Sequence, residues 1–167
     1  MIKTRYYLAY GSNLNRPQMS YRCPWARVAG ASELKGYELI FRGVATVEPK
    51  EGSSVPVLLW KIMPQDERAL DFYEGYPRLY RKEMVEVELK GRTITAMAYV
   101  MNEGPSLCPP NKHYYDVIRE GYKAAGFDVN ILDKAVARTT DLIYQEKLKA
   151  QEAFSDASAF ENRFGYS

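Results

Sequence analysis

Two stretches of the chain carry residues whose types and spacing can do chemistry. The first is Glu74, the last residue of "PQDERALDFYE" before Gly75. Pro64 suits a first helical turn and Gly75 a left-handed stop, so Pro64–Glu74 reads as a helix. A carboxylate in its last turn faces the negative end of the macrodipole, and its pKa drifts upward. Leu70 lies one turn earlier on the same face, and Tyr73 is expected to share this apolar, inward side. Burial raises the pKa further, and a glutamate near neutrality can accept and return a proton, the requirement of general acid–base catalysis. The second stretch is "YYLAYGSNL", where the apolar strand Tyr6–Tyr10 runs directly into Gly11-Ser12-Asn13. Such a junction is either a plain tight turn or a cradle of backbone N–H groups aimed at an anion.

Other chemistries fit poorly. "AYGSN" is not a G-x-S-x-G elbow, and His113 is the single histidine, so a serine hydrolase lacks its parts. The loop has neither the G-K-[ST] of a phosphate loop nor the three glycines of a dinucleotide fingerprint, though it can still hold a carboxylate. Cys23 and Cys108 are far apart and expected as free thiols, and with one histidine they do not compose a metal centre. The 23 basic and 21 acidic residues, net +2, are interspersed, which leaves no stripe for nucleic acid or an anionic membrane. The chain shows neither an apolar run of about 18 residues nor a secretory leader, and the expected location is cytoplasmic.

These groups need a scaffold. The 167 residues are 46% hydrophobic and 26% charged, enough for one core, and a single domain over residues 1–150 is expected. Strands are expected at Thr4–Tyr10, Arg27–Leu34, Gly36–Phe41, Val55–Ile62, Tyr80–Leu89 and Thr93–Met101. In Met84–Leu89, Glu86 and Glu88 alternate with Val85, Val87 and Leu89, the period of a half-buried strand. Val44–Ser54 and Asn102–Lys112 read as loops. Besides Pro64–Glu74, helices are expected over about Lys112–Ala125 and Asn130–Ala150, with Leu132, Val136, Leu142 and Ile143 on the inward face of the latter. "FSDASAFENRFGYS" is rich in small residues, and residues 151–167 read as a C-terminal tail. The fold class is α+β, a small mixed barrel-like sheet with packed helices.

Taken in order, "AYGSNL", "LDFYEGYPRLYRK", "PPNKHYYDVIREGYKAAG" and "YQEKLKA" resemble the γ-glutamylcyclotransferase family and the wider AIG2-like group, over about residues 4–148. The resemblance implies a cofactor-free, metal-free cyclisation of a γ-glutamyl amide to 5-oxoproline with release of an amine or amino acid. It casts Glu74 as the catalytic acid/base. It assigns substrate binding to Tyr7, Leu8, Ala9, Tyr10, Gly11, Ser12 and Asn13, and to Tyr80 and Tyr114, with Tyr115 replacing Tyr114 if the register slips by one. The implied partner is a small γ-glutamyl substrate, and family analogy admits a homodimer. A noncatalytic protein that binds a γ-glutamyl-like metabolite is the alternative, since fold resemblance does not establish turnover. One departure is Asn111, where the family often has serine after the prolines.

Overall fold

The computed structural model describes residues 3–164. Five strands form one sheet in the order β2-β3-β1-β5-β4, where β1 is Arg5–Ala9, β2 Arg27–Arg42, β3 Val44–Ile62, β4 Tyr80–Leu89 and β5 Arg92–Met101. The sheet is mixed: β1 runs antiparallel to β3 and parallel to β5, and the remaining pairs are antiparallel. Its outer strands curl toward each other. Ser32 Oγ of β2 donates to the Glu88 carbonyl of β4, and Gly30 lies so close to Leu89 that a Cβ there would stand 2.8 Å from Leu89 Cδ1. The result is the expected barrel-like α+β fold.

Apolar residues of β1, β3 and β5 fill the interior, among them Leu8, Leu59, Met97 and Tyr99, together with Leu70, Ile118 and Leu132 from helices α2 (Pro64–Glu74), α3 (Lys112–Ala125) and α4 (Val129–Phe164). Val85, Val87 and Leu89 are buried and Glu86 and Glu88 exposed, as the alternation in β4 requires. Cys23 is a buried free thiol and Cys108 an exposed one. Among the described residues, no helix is long and apolar enough to cross a membrane.

Three elements depart from the sequence reading. Val44–Ser54 is strand, not loop: β2 and β3 form one long hairpin that turns at Gly43 (φ +81°). The pairing is interrupted once near the middle: Lys35 faces Ser54 and Tyr37 faces Pro49, so residues 50–53 of β3 bulge out opposite Gly36. A short helix, α1 (Arg16–Arg22), follows the first turn; Pro17 opens it and the Asn15 side chain caps it by accepting from Gln18 N at 3.1 Å. Finally, α4 continues past Ala150 to Phe164. Residues 151–164, read as a tail, are helical and exposed, because nothing in them breaks i→i−4 bonding even though they carry no buried face. Of the expected tail, residues 165–167 lie outside the described residues.

Candidate functional site

The C-terminal end of β1, the middle strand of the sheet, delivers the polar turn. Leu8 and Ala9 are packed in the core, after which Tyr10 and Gly11 leave the sheet and Ser12–Leu14 form a single 3-10 turn. Leu14 N and Asn15 N donate to the carbonyls of Gly11 and Ser12. The N–H groups of Ser12 and Asn13 open that turn and so have no partner inside it. Gly11 permits a close approach: a Cβ at this position would be 3.2 Å from Ala45 Cβ and 3.5 Å from Tyr114 Oη.

Helix α2 supplies the carboxylate. Asp66 Oδ2 accepts from Met63 N at 2.8 Å to fix its start, and Gly75 in the left-handed region (φ +64°) ends it, leaving Glu74 as its last residue. Leu70, fully buried, anchors the face from which Glu74 projects. Burial pushes the Glu74 carboxyl up to about 7, with the nearby Arg22 cation opposing the rise. Tyr73, expected on the same inward face, is exposed; its ring lies under the Arg22 guanidinium, 3.3 Å from the centroid, and its hydroxyl meets Ser12 Oγ at 3.0 Å.

Four more elements close the site around Ala45 and Tyr99. Tyr80, at the start of β4, donates its hydroxyl to the Ala45 carbonyl at 2.6 Å. Tyr114 on α3 accepts from Ala45 N–H at 3.1 Å, so the backbone of one β3 residue clamps two tyrosines. Asn111 caps α3 by accepting from Tyr114 N at 2.8 Å. Serine and asparagine are interchangeable in that duty, which accounts for the departure at this position. Tyr10 donates to the Tyr99 carbonyl at 2.6 Å, and Tyr99 donates to Asp71 Oδ1 at 2.5 Å. Asp71 is held in turn by Lys82 at 2.9 Å.

Together, Tyr7, Tyr10, Gly11, Ser12, Asn13, Ala45, Glu74, Tyr80, Tyr99 and Tyr114 line one narrow pocket with a cavity volume of about 20 Å³. The structure therefore gathers every residue singled out from the sequence except Leu8 and Ala9. These two face the core, and they locate the turn without lining the pocket. Tyr114, not Tyr115, reaches in; the Tyr115 hydroxyl is bonded to Asp133 on α4.

Burial holds the hydroxyls of Tyr7, Tyr10, Tyr80, Tyr99 and Tyr114 well above the usual tyrosine range. They stay neutral at physiological pH and serve as hydrogen-bonding walls. Glu74 alone among the lining residues changes charge near pH 7. Ala45 escaped sequence reading because it acts through its backbone. Tyr99 escaped because Ala96–Met101 is buried throughout and shows no alternation, and Arg22 because its helix was not anticipated.

Matches to known proteins identify the family. Residues 7–123 match the family described as gamma-glutamyl cyclotransferase, AIG2-like. Gamma-glutamylcyclotransferase of Homo sapiens is 30% identical over 162 residues, covering 87% of this chain and 78% of the human protein. The Mus musculus gamma-glutamylcyclotransferase is 29% identical over 90% of this chain and 80% of its own length. Among solved structures, a gamma-glutamyl cyclotransferase superposes with a TM-score of 0.72 at 25% identity, over 86% of this chain and 99% of the other. An uncharacterized Homo sapiens protein gives 0.71 at 27% identity, over 79% and 86% respectively. With a family match that takes in the polar turn, Glu74 and the pocket tyrosines, this chain belongs to the AIG2-like gamma-glutamyl cyclotransferase family.

Proposed function

We propose that the protein is a γ-glutamylcyclotransferase: it folds a γ-glutamyl amide onto itself, releasing 5-oxoproline and an amine or amino acid, with Glu74 as general acid and base. The observation that carries this reading is Glu74 itself, a carboxyl raised to about 7 in a narrow pocket it shares with the Gly11–Asn13 turn and five neutral tyrosines.

The substrate's α-amine is its own nucleophile, so no reactive serine, thiol or activated water is called for. At neutral pH it arrives as an ammonium. Ionised Glu74 removes one proton, and the freed amine attacks the γ-carbonyl carbon to close a five-membered ring. The bond from that carbon to the leaving nitrogen then breaks as Glu74 gives its proton to that nitrogen; the ring nitrogen sheds its second proton, the departing amine takes one up to leave as an ammonium, and Glu74 ends ionised. The protein's main task is to hold a flexible chain with amine against carbonyl. Positioning of this kind can supply up to ~7–11 kcal/mol in well-oriented intramolecular reactions. The N–H groups of the Gly11–Asn13 turn are donors available to an anionic oxygen, and Gly11 admits the substrate close to the backbone.

A panel of γ-glutamyl amino acids and γ-glutamyl amines, assayed for products, tests the reading. The expected result is 5-oxoproline and free amine in equal amounts from at least one member. Glutamate in place of 5-oxoproline would mean hydrolysis, and no product from any member would leave a binding protein.

A further inference from the structure

Hydrogen-bond direction divides the pocket tyrosines into two kinds. Tyr10 and Tyr80 spend their protons on the carbonyls of Tyr99 and Ala45. Tyr7 and Tyr114 do the reverse. The Tyr114 oxygen accepts from Ala45 N–H, and the Tyr7 oxygen accepts from Asn13 Nδ2 at 2.9 Å. A phenol oxygen that is already accepting still has a proton to give. Among the described residues, no acceptor takes the proton of Tyr7, and its ring lines the cavity.

The direction at Tyr7 depends on Asn13, whose amide could in principle face either way. Arg22 removes the choice. Its Nη1 donates to Asn13 Oδ1, and a guanidinium has only donors, so the amide oxygen must face Arg22 and the NH₂ must face Tyr7. Arg22 is itself held in place on two sides: Nη2 donates to Gln18 Oε1 at 3.3 Å within α1, and its Cζ sits over the Tyr73 ring of α2. Arg22 does not line the pocket, and so can act on it only through these neighbours and its charge.

We propose that Arg22 is a positioning residue that fixes the Asn13 amide and thereby makes the Tyr7 hydroxyl an obligate donor to an acceptor oxygen of the bound substrate. The identity of that substrate rests on the γ-glutamyl reading above; the direction of the relay does not.

Asn13→Asp is the discriminating change, because aspartate has the same shape but no donor. Its carboxylate pairs with Arg22 and accepts the Tyr7 proton, which turns the hydroxyl away from the substrate. Tyr7→Phe and Asn13→Asp are each expected to lower kcat/KM by about tenfold or more, the worth of a hydrogen bond to a charged group. The double variant should be no worse than the weaker single variant, since both remove the same donor. Arg22→Met should likewise add nothing to Tyr7→Phe, and this second cycle carries the same criterion if thermal unfolding shows Asn13→Asp to be misfolded. Losses that multiply in the folded double variants would overturn the relay. A readout without substrate separates its failure from failure of the functional reading. With ¹³Cζ-labelled tyrosine, the Tyr7 resonance, assigned by its loss in Tyr7→Phe, should shift in Asn13→Asp as the hydroxyl changes from acceptor to donor; an unmoved resonance would also overturn it. Absence of turnover in the unaltered protein would instead count against the γ-glutamyl reading alone.

Discussion

Glu74→Gln is expected to abolish turnover while leaving the fold and substrate affinity in place. Glutamine keeps the size of the side chain and most of its hydrogen bonds but cannot exchange a proton. General acid–base catalysis is typically worth ~10²–10⁴-fold, and a group that serves two proton transfers in one cycle should reach at least the upper part of that range. The loss belongs in kcat, with binding of an unreactive substrate analogue nearly unchanged. The pH dependence follows from the same residue. Ionised Glu74 is the base, so kcat/KM should fall below about pH 7, where burial has placed its titration, and any residual activity of Glu74→Gln should lack that limb. Stability moves in the opposite sense. The folded pKa lies above the unfolded value, so the native state holds a proton that the unfolded chain releases between about pH 4.5 and 7. Native stability therefore declines as pH rises through that window. Glu74→Gln escapes the decline and should be more stable than the unaltered protein at pH 8, by on the order of 1–2 kcal/mol after allowance for partial exposure. Glu86→Gln, on the exposed face of β4, is the control and should change neither property. Near-normal turnover by a folded Glu74→Gln protein would remove Glu74 from the mechanism.

Gly121→Ala is expected to disrupt the site from outside it. Gly121 lies on the buried face of α3 against the end of the polar turn. A Cβ there would stand 2.6 Å from Leu14 Cβ, 2.7 Å from the Leu14 carbonyl carbon and 2.9 Å from Asn15 N. Two of these atoms are backbone and cannot rotate away. The neighbourhood is pinned as well: Asn15 Nδ2 donates to the Val117 carbonyl at 3.1 Å and to Glu120 Oε2 at 3.0 Å. Helix and turn must therefore separate together. Overpacking of this kind typically costs ~1–3 kcal/mol. The larger effect should be on activity, since a displacement of about 1 Å at a positioning element can cost ~10²-fold. Thermal unfolding and kcat/KM measured on one preparation check both parts. Unchanged kcat/KM would show that the Gly11–Asn13 turn need not be held where α3 holds it.

Much of this site was legible because its parts obey local rules. Pro64 and Gly75 bracket α2 and so put Glu74 at a helix end, and the small polar residues after Tyr10 mark the strand's exit. What escaped is governed by non-local contacts. Ala45 contributes only a carbonyl and an N–H, which any residue would present. It sits in a stretch where Pro49 and a run of charged and small residues read as loop, and only pairing with β2 makes that stretch a strand. Tyr99 is hidden in an unbroken apolar run. Helical periodicity puts Tyr73 on the inward side, yet its ring is exposed, held at the last turn of α2 by the Arg22 guanidinium of α1 and by the Ser12 hydroxyl. The helix over residues 151–164 has no inward face and left no periodic trace.

The central claim is that the substrate attacks itself, and removing the nucleophile tests it most directly. N-acetylation of the α-amine of the best γ-glutamyl substrate leaves the γ-amide bond, the α-carboxylate and the leaving group intact. Intramolecular cyclisation predicts that release of the amine or amino acid from the N-acetylated compound falls to background in an assay that detects the unmodified substrate readily. Release at a comparable rate would show that water or a protein side chain attacks the γ-carbonyl, and would contradict the cyclisation mechanism.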